Sequence, residues 1–276
     1  MNILFDQVSI NCSKDLSKTY KSGLSMGINA LSLHCKENIY SIYAFAALAE
    51  EIVSSLENRD KKELISEYIK ETYKAIERRF SLNPILNSFQ IVVNEFRIDT
   101  ALIRIFLEGI ELKIYQSHVH SEHMEIHETS AAEALGLMIL KVLCDGNHQL
   151  YKTLEIPAKK FSSAILKINN LKNPSKHYYN LRATTAIGQN WLSEEMKLAL
   201  ELSIEDDLKI VKENLKRLPQ GSKRATYIAF AYFNALFIKI KNLPSEKIIM
   251  NRIGISYNRK IILALNSVIK QTLNLL

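Results

Sequence analysis

Apolar residues recur at three- and four-residue intervals along almost the whole chain, the spacing that lines one face of an α-helix. With breakers taken into account, the pattern predicts helices over 5–25, 36–57, 60–80, 84–95, 99–116, 121–143, 156–172, 191–218, 222–242 and 256–275. Asn83-Pro84 sets a capping side chain ahead of a first-turn proline, and Leu218-Pro219-Gln220-Gly221 separates two helices. The stretch 173–190 (NPSKHYYNLRATTAIGQN) is the longest without an apolar stripe. It is either a working loop or a plain surface connection. No linker, repeat or low-complexity tract divides the chain, so residues 1–276 are read as one all-α domain.

Composition points the same way. The chain holds only 8 glycines and 5 prolines, where average usage of about 12% for the pair would give roughly 33. Strand-and-turn folds spend those residues on hairpins, so a large β or α/β architecture is disfavoured. Hydrophobic residues at 47% and charged residues at 24% exclude a disordered chain. Three cysteines without CxxC spacing (Cys12, Cys35, Cys144) read as reduced thiols. The start, MNILFDQVS, shows no basic segment followed by an apolar run. The most apolar windows, 39–49 and 227–240, are interrupted by Ser41 and Asn234 and fall short of the ~20 residues of a spanning helix. A cytoplasmic protein is expected, with peripheral contact at a membrane surface left open.

The net charge of +7 is scattered over Lys61-Lys62, Arg78-Arg79, Lys159-Lys160, Lys239 and Lys241, without a stripe of interleaved aromatics. Nucleic-acid binding is therefore not expected. There is no GxSxG, no cysteine in a catalytic motif and no Gly-rich phosphate loop. Glu205-Asp206-Asp207 stands in a helix of mixed charge, a pattern that reads as a solvated face.

Three stretches together resemble the squalene/phytoene synthase family, which joins two prenyl diphosphates head to head. Thr19–Ser55 (TYKSGLSMGINAL…NIYSIYAFAALAEEIVSS) is similar to the opening helix and the helix bearing the first aspartate-rich motif. Ser130–Leu143 (SAAEALGLMILKVL) is similar to the GxAxxVGLM helix. LPQGSKRATYIAFAYFNALFIKI and RIGISYNRKIILAL resemble the closing helices, with an RxxxSxxxK pattern at Arg252, Ser256 and Lys260. The resemblance implies an isoprenoid-synthase-like helical bundle around a central apolar cavity.

Ionising a prenyl diphosphate requires stabilising the departing pyrophosphate, which magnesium ions bridged to carboxylates accomplish. Two aspartates at i and i+4 on facing helices supply those carboxylates in the family. Here the first motif reads Glu50, Glu51 and Ser54, with a glutamate and a serine in the aspartate places. The second reads Leu166, Asn169, Lys172, Asn173 and His177, with both aspartates lost. Gly23-Leu24 stands for the phosphate-contacting Ser-Phe, Ala47 for an arginine, Lys113 for an aspartate, His127 for a tyrosine and Ala183 for the flap arginine. A glutamate left without metal needs another cation, so Lys113 is expected to pair with Glu50 or Glu51. Leu24, Tyr43, Ala47, Lys113, His127, Leu166 and Tyr227 are the expected cavity lining.

The resemblance and its departures imply a protein that has lost magnesium-dependent condensation and binds an isoprenoid or lipid, or a protein partner such as an active paralogue. No resident cofactor is expected on that reading. A second reading keeps an active prenyltransferase of isoprenoid or carotenoid biosynthesis, with magnesium held by an altered site. A third rests on the histidines of SHVHSEHMEIHE. His123 and His127, at i and i+4, have the spacing of two zinc ligands, with Glu122 and Glu125 nearby. Solvated histidines at a polar helix start are the plainer alternative.

Overall fold

The computed structural model describes residues 4–19, 25–54, 59–115, 122–172, 192–250, 253–256, 258–260, 262–263 and 266. The described residues form helices and connecting turns, with no strand among them. In chain order the helices are α1 (Leu4–Thr19), α2 (Ser25–Ile28), α3 (Leu33–Ser54), α4 (Lys61–Arg78), α5 (Pro84–Phe96) and α6 (Thr100–Leu112). A 3₁₀ turn, Lys113–Tyr115, extends α6. There follow α7 (Glu122–Leu143), α8 (His148–Lys172), α9 (Glu194–Asn214), α10 (Gln220–Lys241) and α11 (Ser245–Met250).

Short polar side chains set several of the starts. Asp60 accepts from the amides of Lys62 and Glu63, Asn83 from that of Ile85 ahead of α5, Asp99 from Ala101 and Ser193 from Met196. Helices α4 and α5 both end on an arginine in the left-handed region, Arg79 at φ 55° and Arg97 at φ 50°.

Two boundaries differ from the pattern reading. The helix expected over 5–25 is described over Leu4–Thr19 and again as α2 from Ser25, with 20–24 outside the described residues. Helix α8 begins at His148 rather than near 156, so Pro157 lies inside it. Asn147 initiates it by accepting from the Leu150 amide. Pro157 leaves the Thr153 carbonyl without its i+4 donor, and that residue is exposed, so water can serve it. The segment 173–190 and most of the helix expected over 256–275 lie outside the described residues.

Helix α3 runs through the centre. Its Ile42, Ala44, Phe45 and Ala49 are fully buried. Phe45 stacks on Phe89 of α5 with centroids 3.8 Å apart and lies 5.5 Å from Phe106 of α6. Helix α7 joins the two halves of the core. Ala131, Ala134 and Met138 pack toward α3 and α6, while Leu137 and Leu140 pack with α8, α9 and α10. Helix α1 is tied to α5 by polar contacts: Ser13 and Ser88 hydroxyls are 2.6 Å apart, and the Asn87 amide donates to Asp6 and Ser9. No described helix is long and apolar enough to cross a membrane.

Candidate active-site cavity

A cavity of about 410 Å³ lies between α3, α6, α7 and α8, with α2, α9 and α10 closing it. That volume is in the range of small-molecule sites. Small residues make the room: Gly27, Ala132, Gly136, Ala158, Ala225 and Ala229 all line it. The same residues let the helices approach. A Cβ on Gly136 would stand 1.9 Å from the Ser162 hydroxyl of α8, and one on Gly27 would stand 2.6 Å from the Ala225 carbonyl oxygen of α10.

The charged lining gathers at one end, and helical spacing explains why. Helix α3 presents Ile39, Tyr43 and Glu50, and α6 presents Phe106, Ile110 and then Lys113. Helix α7 runs back against α6, since Gly109 meets Ala131 and His127, and it begins its lining with Glu128 before Ala132, Leu135 and Ile139. Helix α8 reverses again and ends its lining at Asn169. The chain ends of α3, α6 and α8 and the start of α7 therefore converge. The opposite end is closed by Leu143, Leu154, Leu215 and Leu218. Burial pushes the Tyr43 phenol well above its ordinary pKa, so the group stays neutral and available as a donor.

At the polar end the Lys113 ammonium donates to Glu50 at 2.6 Å. The side chains are 25% and 42% exposed, so the pair sits at a mouth rather than in the interior. Glu51 is half-buried beside it, and Ser54 is exposed one turn on from Glu50. Leu166 and Asn169 both line the cavity from α8, and Lys172 is half-buried at that helix's end without lining it. Ala47, His127 and Tyr227 fall beside the cavity and not on its wall. Tyr227 is buried in the second half of the core, edge-on to Phe230. Its neighbours Thr226 and Ala229 line the cavity in its place, because α10 is turned so that the ring points into the helix packing. Leu24, Asn173, His177, Ala183 and Arg252 lie outside the described residues.

The donor set does not fit a magnesium cluster among the described residues. Magnesium wants several hard oxygens around one point. Here the first-motif carboxylate already faces an ammonium, its i+4 partner is the Ser54 hydroxyl, the facing helix offers an amide and a lysine, and Glu51 and Glu128 do not complete a cluster of three carboxylates with it among the described residues. As for zinc, no three His, Cys, Asp or Glu side chains gather among the described residues. The side chain of His123 is outside them, and His127 is half-buried on α7.

Several charged positions were not legible as such in the sequence, among them Lys197 and Glu201 of α9, which are buried and paired with each other. Glu128 lines the cavity, four residues before Ala132 on the same α7 face, so the helical repeat was the available signal. Asp207, read as part of a solvated face, is instead buried. Lys160 of α8 reaches it at 3.0 Å and Lys167 at 2.8 Å, with Lys167 also donating to Ser203. The hydrogen bond from Lys160 to Asp207 raises that lysine's pKa. Glu205 pairs with Lys241, which leaves Asp206 as the exposed member of the run.

A cage of helices around an apolar cavity with its charged groups at one end defines an all-α isoprenoid-synthase fold. The squalene/phytoene synthase model matches residues 18–265, and the chain belongs to that family. Solved structures agree on the fold. A dehydrosqualene synthase in complex with ligand superposes with a TM-score of 0.79 at 16% identity, covering 97% of this chain and 98% of that one. YisP from Bacillus subtilis gives 0.71 at 12% identity, over 95% and 96% of the two chains. Squalene synthase HpnC from Alicyclobacillus acidocaldarius gives 0.71 at 10% identity, over 87% and 95%. No curated protein matches the chain in sequence.

Proposed function

We propose that this family member holds an isoprenoid or similar lipid in its cavity and has lost magnesium-dependent condensation of prenyl diphosphates. The observation that carries the reading is the Lys113–Glu50 contact of 2.6 Å at the cavity mouth. Condensation needs charge stabilisation aimed at a departing pyrophosphate, and divalent cations held by carboxylates supply it in the family. An ammonium fixed against the first-motif glutamate takes the cation's place with one positive charge and no open coordination position. The apolar wall, meanwhile, suits an elongated chain. The role is then lipid handling, or partnership with an active paralogue, and contact with a membrane surface would supply the lipid.

One observation favours a second reading, an active prenyltransferase with an altered metal site. Glu50 and Asn169, the retained acidic and amide positions of the two motifs, line the same cavity. Turnover of prenyl diphosphates that depends on Glu50 would install it.

Lipid capture tests the first reading. The full chain is incubated with vesicles doped with a C15 prenyl lipid, separated by gel filtration and extracted. The wild type is expected to retain lipid near one per chain, and Ala132→Trp, which fills the cavity, to retain none while keeping its helical circular dichroism. A wild type that retains no lipid, or a filled variant that retains as much, would overturn it.

A further inference from the structure

Helix α8 carries a break inside the cavity wall. Pro157 lines the cavity from within the helix and brings no N–H, so the ladder of backbone hydrogen bonds is interrupted there. Ala158, Phe161, Ser162, Ile165, Leu166 and Asn169, all of them lining residues, lie beyond that break. Toward α7 this stretch rests on the close approach of Ser162 to Gly136. Toward α10, Phe161 meets Phe233 edge-on, with centroids 6.2 Å apart.

Toward α9 the stretch is held by charge. Lys160 and Lys167 stand two helical turns apart on one face of α8, and both reach Asp207, at 3.0 and 2.8 Å. Lys167 also donates to Ser203 at 2.7 Å. At 100° per residue, the lining positions Ala158, Ser162, Ile165 and Asn169 fall on the opposite face. The clamp therefore grips the wall from behind. A slide of α8 along α9 in either direction lengthens one of its two contacts. Asp207 is 3% exposed, so water does little to screen that cost.

We propose that Asp207 is a positioning residue for the cavity, holding the α8 wall through Lys160 and Lys167 at the spacing an elongated lipid needs. The proposal rests on the lipid-binding reading above. Asp207 is not among the lining residues, so its effect on a ligand passes through α8. Without the clamp, the stretch beyond Pro157 visits positions in which the wall stands away from the ligand. Apparent affinity then falls with the population of the closed wall.

Calorimetric titration of the full chain with a C15 prenyl alcohol in detergent, joined to hydrogen exchange read by mass spectrometry, tests this. Asp207→Asn keeps the shape and removes the charge. It is expected to weaken binding about five- to tenfold. Exchange should quicken in peptides spanning 158–171 and stay unchanged in α5. Lys167→Gln, which loosens one contact of the two, should act in the same direction and less. Asn87→Ala serves as the control, since it deletes bonds to Asp6 and Ser9 in a part of the core that does not line the cavity. Its affinity should stay within about twofold of wild type. An Asp207→Asn protein that binds as tightly as wild type, or whose exchange rises equally in α5 and α8, would overturn the positioning role and leave the lipid pocket standing. If the wild type gives no saturable isotherm, the lipid-binding reading itself fails and the proposal falls with it.

Discussion

At the scale of single residues, the two ion-pair sites behave differently because their burial differs. Lys113 and Glu50 both reach solvent, so their pairing contributes little to folding: a double-mutant cycle with Lys113→Met and Glu50→Gln should give a coupling of about 0.2–1 kcal/mol. Its consequence lies in the charge of the mouth. Asp207, by contrast, is 3% exposed and faces two ammonium groups. Asp207→Ala should cost roughly 2–3 kcal/mol in urea unfolding, less than a fully buried pair because both lysines reach water. A loss below about 0.5 kcal/mol would mean that the clamp between α8 and α9 is ornamental.

The thiols give a pH prediction. Burial raises the pKa of Cys35 and of Cys144 from 9.0 to about 11. A raised folded-state pKa keeps both thiols protonated at neutral pH, so aromatic disulfide reagents should label neither at pH 8 without denaturant. The associated stability is fully present below pH 9 and is lost as pH rises through about 11. Rapid labelling of native protein at pH 8, located by peptide mapping to Cys35 or Cys144, would contradict that burial.

Residue-level legibility was uneven for a physical reason. Glu50, Lys113 and Asn169 could be assigned to one site because the stretches that carry them resemble the family's motifs, and all three line the cavity. Tyr227 could not, since its side depends on how α10 is rotated against α8, a tertiary matter that a mostly apolar helix does not encode in its pattern. Asp207 was misread for the opposite reason. Its own helix is charged on several sides, and the lysines that bury it belong to α8, some forty residues earlier in sequence.

At the scale of elements, close approach decides the cavity's shape. Helices α7 and α8 meet at Gly136, where an added Cβ would fall 1.9 Å from the Ser162 Oγ. Gly136→Ala should therefore destabilise by about 1–3 kcal/mol as the hydroxyl is forced aside or the helices part. Ser162→Ala removes the offending oxygen and leaves a 3.1 Å approach to its Cβ, so the double variant should recover most of the loss. Thermal unfolding of the four proteins checks this, and simple additivity would show that the contact does not govern α7–α8 packing. The starts of α4, α5 and α6 were readable because Asp60, Asn83 and Asp99 each cap the helix that follows them locally. The start of α8 was not, because Pro157 reads as a first-turn proline. It is tolerated mid-helix through the exposure of Thr153, which no local pattern announces.

At the scale of the whole molecule, the scarcity of glycine and proline, the long helices and the cavity they enclose are one fact. Helices of 22 and 25 residues such as α3, α7 and α8 can wall an elongated space, and the glycines kept in that wall, Gly27 and Gly136, stand where helices touch. The chain matches the family over residues 18–265, and at its cavity mouth Glu50 is paired directly with Lys113, a pairing we propose stands in exchange for the family's metal. The central claim is that this exchange abolishes condensation. Pyrophosphate release by the full chain, incubated with C15 or C20 prenyl diphosphate and saturating magnesium, tests it most directly. The account predicts release at the rate of a buffer blank, equal in wild type and Glu50→Ala; sustained release by the wild type that Glu50→Ala abolishes would contradict it.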